Sequence, residues 1–305
     1  MAGLSILPAP AVARATKAGF EKTGRRTRLI LLGTKGGPRP GRLRHASSQV
    51  VLVDDVPYVI DCGDGVASQL ARAGVRLQRL RHIFITHHHC DHNADYGNLL
   101  LLSWASGLST RIDCHGPPPL KKMTQLFFEM NSFDIQTRIA DEGRTPPNSL
   151  VHTHEMKRPG LVMKDERVEV TAALVNHPPV VPSFALRLDA PDRSIVISGD
   201  TTPSKSLIQL ARGADVLVHE ALHLPGMEKL LAKIPNAPAL RRHLLASHTP
   251  TEEVGKVATA AAVKTLVLSH LVPGDMPSIT DDQWAAGAGK HFRGEILVGR
   301  DLMEV

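Results

Sequence analysis

Thr-His-His-His-Cys-Asp-His, at residues 86–92, decides how this chain is read. It places His87, His89, Asp91 and His92 in the pattern H-x-H-x-D-H, directly after the apolar run Ile83-Phe84-Ile85. A short β-branched and aromatic run of this kind, bounded by polar residues, predicts a buried strand. A strand that ends in a tight turn brings alternate side chains to one edge of a sheet. His87 and His89 then face one metal ion, while Asp91 and His92 turn toward a second. Imidazole nitrogens with a carboxylate oxygen suit Zn²⁺ or a neighbouring first-row ion.

Working outward, three more ligand-type residues stand at the ends of predicted strands. His177 follows Ala173-Leu174-Val175-Asn176, Asp200 follows Val196-Ile197-Ser198-Gly199, and His270 closes Leu266-Val267-Leu268-Ser269. Each alone reads as an ordinary strand-end residue. With the heptad they make seven ligands, enough for two metals that share a carboxylate. The spacing assigns His87, His89 and His177 to one ion, Asp91, His92 and His270 to the other, and Asp200 to both.

Between these points strands and helices alternate. Strands are predicted at 27–33, 82–86, 111–115, 167–175, 183–189, 193–198, 215–219, 265–269 and 295–298, with a hairpin of 49–54 and 57–61 across Asp54-Asp55. Helices are predicted at 67–74, 96–106, 120–131, 204–211, 251–263 and 281–292. Thr249-Pro250-Thr251-Glu252 and Thr280-Asp281-Asp282-Gln283 both have capping-box spacing. Residues 33–48, 132–165 and 222–245 read as loops. Two successive runs of this kind predict an α/β fold of four layers, two mixed sheets inside and helices outside.

The 305 residues allow one or two domains, and 42% hydrophobic content is enough for a large core. Three cysteines without pattern argue against a disulfide framework. No apolar run nears the roughly 20 residues that span a bilayer. A soluble protein is expected, cytoplasmic by default. The apolar start, Met1–Ala15, has the small-residue step of a secretory leader but no basic region before it. A leader remnant, with a periplasmic or secreted protein, is the other reading.

Net charge is +6, and residues 14–44 hold ten Lys/Arg against the single acid Glu21. That segment is therefore +9 and the remainder −3. It lacks the aromatic interleaving of a typical nucleic-acid surface, so it reads equally as a solvated segment. Residues 1–26 are expected to be a flexible basic segment, and 27–305 a single catalytic domain.

From residue 27 onward the chain resembles the metallo-β-lactamase-fold hydrolases. Asp61-Cys62-Gly63-Asp64-Gly65 is similar to the family's early acidic turn, which implies that Asp61 is a buried acid behind the ligands. Leu217-Val218-His219-Glu220-Ala221 and Ala246-Ser247-His248-Thr249-Pro250 resemble segments of the ribonuclease Z and arylsulfatase-like branch. The resemblance implies that Glu220 hydrogen-bonds His248 and keeps it protonated for a leaving group, with Asp91 orienting a metal-activated hydroxide. It implies two Zn²⁺, with Mn²⁺ or Fe²⁺ as substitutes; His89 argues against the di-iron members, which exchange a motif histidine for a carboxylate.

Two departures from ribonuclease Z stand out. There is no long Gly/Pro-rich arm, and Leu271-Val272-Pro273-Gly274 follows His270 in place of Ser-x-Arg. These features lead to the expectation of a dinuclear zinc hydrolase of a small ester or amide-like substrate (phosphodiester, sulfate ester, lactone or β-lactam). Nucleic acid is the less favoured partner, no membrane is involved, and an oligomer is left open. The alternatives are a ribonuclease Z-type tRNA 3′ endonuclease and a non-catalytic metal-binding relative.

Overall fold

In the computed structural model, which describes residues 26–305, strands and helices form two facing seven-stranded sheets with helices on their outer faces. Residues 1–25, and with them the leader-like start, lie outside the described residues. The first sheet takes β1 (Thr27–Gly33), β2 (Ser48–Val53), β3 (Val56–Ile60), β4 (His82–Phe84), β5 (Ile112–Gly116) and β6 (Val151–Glu155), with β14 (Met303–Glu304) beside β1. β1, β2 and β3 form an antiparallel meander, and β4, β5 and β6 continue parallel to β3.

The second sheet repeats this plan. β7 (Gly160–Lys164), β8 (Glu169–Leu174), β9 (Phe184–Ala190) and β10 (Arg193–Ile197) are antiparallel neighbours. β11 (Val216–Leu222), β12 (Thr265–Val272) and β13 (Glu295–Val298) then run parallel to β10. Asp54 and Asp55 both have positive φ, 50° and 61°, as a two-residue hairpin turn requires.

Side-chain alternation with period two divides the core into layers. Leu29 and Leu31 of β1 point between the sheets, against residues such as Phe184, Leu186 and Val218. Ile30 and Leu32 point outward, onto α1 (Val66–Arg72) and α3 (Tyr96–Ala105). On the far side, Val196, Leu217 and Leu266 pack under α6 (Lys205–Leu210), α9 (Thr251–Ala261) and α10 (Asp281–Gly289). Among the described residues no helix is long and apolar enough to cross a membrane.

Two expected loops are largely regular structure. Residues 132–165 contain α5 (Ser132–Glu142) as well as β6 and β7, and follow α4 (Leu120–Met130). α5 fully buries only Ile135, with Ile139 partly buried one turn on, and is braced by Arg138 pairing with Asp134 and Glu142, so its apolar stripe is short. Residues 222–245 hold α7 (Leu224–Leu231) and most of α8 (Ala237–Ser247).

The two capping boxes fare differently. Thr280 caps α10, with Gln283 answering to its backbone N–H. Thr249 does not cap α9: its hydroxyl donates to the Thr201 carbonyl and its N–H to Glu220, 2.7 Å away. The tertiary contacts have taken the groups that the local motif would use.

Candidate metal centre

The parallel strands of both sheets end at one rim, and the ligand-type residues collect there. After β4 the chain stays extended through His89 and then makes a single turn of helix, α2 (Cys90–Asn93), which turns Asp91 and His92 inward. His88 points elsewhere, toward the Pro117 carbonyl and Asn93. His177 follows β8, and Asp200 follows β10 after Gly199, whose φ of 58° lets the chain pass the Phe184 carbonyl closely.

His270 arrives by a bulge. In the parallel pair of β11 and β12, Ser269 pairs with Glu220 and Leu271 with Ala221, leaving His270 as the extra residue. Its φ of 41° is in the left-handed region, uncommon for a histidine, and the kink aims the ring into the centre. Gly36 of the Gly/Pro-rich loop rides over this ring: a Cβ there would lie 2.7 Å from His270 Nδ1.

The structure brings all seven expected ligands together. Atoms of His87, His89, His177 and Asp200 lie within 4.8 Å of one another, as do those of Asp91, His92 and His270. His87 Nε2 is 3.2 Å from His89 Nδ1, which is 3.1 Å from His177 Nε2. Nitrogens that share a tetrahedral ion at the usual Zn–N distance stand about 3.3 Å apart. Asp200 faces both groups, with Oδ1 3.3 Å from His92 Nε2 and Oδ2 3.3 Å from His270 Nε2 and 3.8 Å from His177 Nε2. Asp91 Oδ2 lies 3.2 Å from His270 Nε2 and accepts the Gly37 N–H at 2.8 Å.

The second ring nitrogens of His92 and His177 are tied down. His92 Nδ1 lies 2.7 Å from Asp61 Oδ2, and Asp61 also accepts the Thr86 N–H at 2.8 Å. His177 Nδ1 donates to the Ser247 carbonyl at 2.9 Å. Such partners fix the tautomer and leave the other nitrogen for the ion. Burial holds His87 well below the ordinary imidazole value and His177 at about 4, so both are neutral, the form that binds metal. His92 Nε2 and Asp200 Oδ1 are buried with no hydrogen-bond partner, which a cation between them would supply. The donor set fits a divalent metal.

Beside the cluster, His248 Nδ1 is 3.4 Å from Glu220 Oε2 and 3.9 Å from Asp200 Oδ2. Burial disfavours a charged His248, but the Glu220 carboxylate, with Asp200 and Asp91 beyond, more than offsets this and raises its pKa to about 9. The sequence placed His248 only ahead of α9. It also terminates α8, whose carbonyl end favours a cation. α8 brings in His243 as well, a residue the sequence reading missed. Its ring centre is 6.2 Å from that of His248.

Of the described residues of the basic segment, Arg28, Lys35 and Arg44 turn into the protein, where Arg28 pairs with Glu304, Lys35 with the Gly37 carbonyl and Arg44 with the Gly299 carbonyl, while Arg26 pairs with Asp54 at the surface. Asp275 holds the Arg42 and Leu43 N–H groups, so that Arg42 stands in solvent.

The chain is similar to known proteins along most of its length. Residues 57–271 match the family model of the beta-lactamase superfamily domain. Ribonuclease Z of Mycobacterium bovis is 33% identical over 282 residues, 91% of this chain and 97% of that protein. Ribonuclease Z of Mycolicibacterium gilvum is 34% identical over 283 residues, 91% and 95%. Human tRNase Z, short form, has the same fold (TM-score 0.67, 22% identity, 91% of this chain and 98% of that one). So does the metallo-beta-lactamase fold protein YhfI from Bacillus subtilis (TM-score 0.66, 19% identity, 92% and 98%). These relatives overturn the expectation of a small-molecule substrate with nucleic acid disfavoured: both curated relatives carry the name ribonuclease Z, and the likeness to them runs along 91% of the chain despite the missing arm and the altered residues after His270.

Proposed function

The chain belongs to the beta-lactamase superfamily, in its ribonuclease Z branch, and is a metal-dependent hydrolase; from that premise we propose that it cuts precursor tRNA at the 3′ side. The observation that carries this reading is identity of 33–34% to ribonuclease Z along 91% of the chain. The Glu220–His248 pair beside the ligand cluster supplies the chemistry such a cut requires.

In this reading His87, His89 and His177 would hold one divalent ion and Asp91, His92 and His270 a second, with Asp200 within reach of both, and Zn²⁺ is the natural choice for the donors. Ions held there would supply Lewis acidity toward the phosphoryl group and acidify water. The protein's own groups do the rest. Asp61 orients the His92 ring, and the Ser247 carbonyl orients His177. Asp91 positions the attacking water. As the water oxygen joins phosphorus and gives up a proton to solvent, the P–O3′ bond breaks, and O3′ takes a proton from His248 Nε2. Glu220 keeps the imidazolium charged and aligned. General acid catalysis of this kind contributes about 10²–10⁴-fold.

The test is incubation of metal-loaded protein with precursor tRNA at low and raised salt. Cleavage that weakens as salt rises is expected, because phosphate contacts release counterions. Intact precursor at low salt, from protein that hydrolyses bis(p-nitrophenyl) phosphate, sinks the reading.

A further inference from the structure

We propose that His243 reads the 2′-hydroxyl of the ribose whose 3′ oxygen is released, and so makes the centre selective for RNA over DNA; this rests on the ribonuclease reading above.

The argument begins with Ser247. Its hydroxyl has one proton, and that proton goes to the Pro178 carbonyl at 2.5 Å. His243 Nδ1 lies 3.4 Å from the same oxygen, so the nitrogen is the donor in that contact. The neutral ring therefore carries its lone pair on Nε2. No described residue meets Nε2, and His243 is half-buried, so this acceptor is open to a ligand.

Its position defines which ligand group it can meet. α8 holds the ring edge-to-face with His248, at 86° and 6.2 Å between centres, and within electrostatic reach of Asp200 and His89. Two imidazoles that each touch an oxygen through a hydrogen bond of about 2.8 Å can, at this spacing, bracket oxygens on adjacent carbons. The oxygen His248 protonates is O3′. The neighbour on the same sugar is the 2′-hydroxyl, a donor for Nε2 and the group that separates RNA from DNA.

Precursor tRNA is compared with the same RNA carrying one 2′-deoxynucleotide immediately 5′ of the cut. Wild type, His243→Phe and His243→Gln are each assayed for kcat/KM, with bis(p-nitrophenyl) phosphate hydrolysis as the measure of an assembled centre. Wild type is expected to prefer the all-ribose substrate roughly tenfold, the worth of one well-placed hydrogen bond. His243→Phe is expected to cut both substrates at one rate, because the two deletions remove the same contact. His243→Gln, which keeps an acceptor, retains part of the preference. Full preference in His243→Phe, or none in wild type, overturns the assignment. Precursor left whole by wild type that hydrolyses the chromogenic diester overturns the ribonuclease reading instead, and the ribose contact with it.

Discussion

The two sheets follow one plan, an antiparallel meander leading into parallel strands, yet they furnish the centre in opposite ways. The first half gives His87, His89, Asp91 and His92 from one short stretch after β4, extended and then a single helical turn. The second gives His177, Asp200 and His270 one at a time, the first two just beyond β8 and β10 and the last from the bulge within β12. In the first half chain geometry alone brings the donors close. In the second half they meet only when the sheet is assembled. A dispersed ligand set depends on the whole fold, so single changes there have wider reach.

The largest expected effect is at Asp200, which faces both groups of ligands. Asp200→Ala should bind less than one ion per chain by metal analysis and lose at least about 10³-fold in activity, since the removed group also supplied charge balance to both sites. A variant that keeps two ions breaks the picture of a shared carboxylate.

Next comes His248→Ala, expected to slow substrates with alkoxide leaving groups by about 10²–10⁴-fold while metal content stays the same. A nitrophenolate needs little protonation on departure, so its hydrolysis should fall far less. Equal losses for both would remove His248 from the acid role.

Asp61→Asn probes the support of the first half. The amide keeps the shape but not the charge behind His92, and metal affinity, followed by chelator competition, should fall about 10–100-fold. Unchanged affinity would show that the compact turn orients His92 without help.

The smallest effect lies away from the centre. Thr280→Ala removes an observed cap and should cost about 1 kcal/mol in thermal or denaturant unfolding, with activity per folded molecule retained. No loss of stability would mean that the packing of Trp284 alone holds α10.

The same contrast explains what could be read in advance. The heptad and the three strand-end residues were legible because ligand types at strand ends are rare by chance and occur here in order. Four layers were legible from alternating β and α periods. The His270 bulge was not, since pairing register is a property of two strands. α5 escaped notice because its apolar stripe is short, Ile135 buried and Ile139 only partly so. α7 and α8 were missed in a segment broken by Pro225, Pro235 and Pro238, and His243 was lost with them. The substrate class was misjudged from two local departures, where relatedness along the whole chain carried more information.

Because the ligand residues are divided between the two sheets, an ion at this rim would also act as a clasp. Ions that bind the folded arrangement and not the unfolded chain add stability as RT ln(1 + [M]/Kd), about 4 kcal/mol when free metal exceeds Kd a thousandfold. Chelation should therefore be visible in a melting curve, with Tm falling as metal is withdrawn and returning on its replacement. On this account the supply of metal would govern how long the fold survives, and not only how fast the protein works.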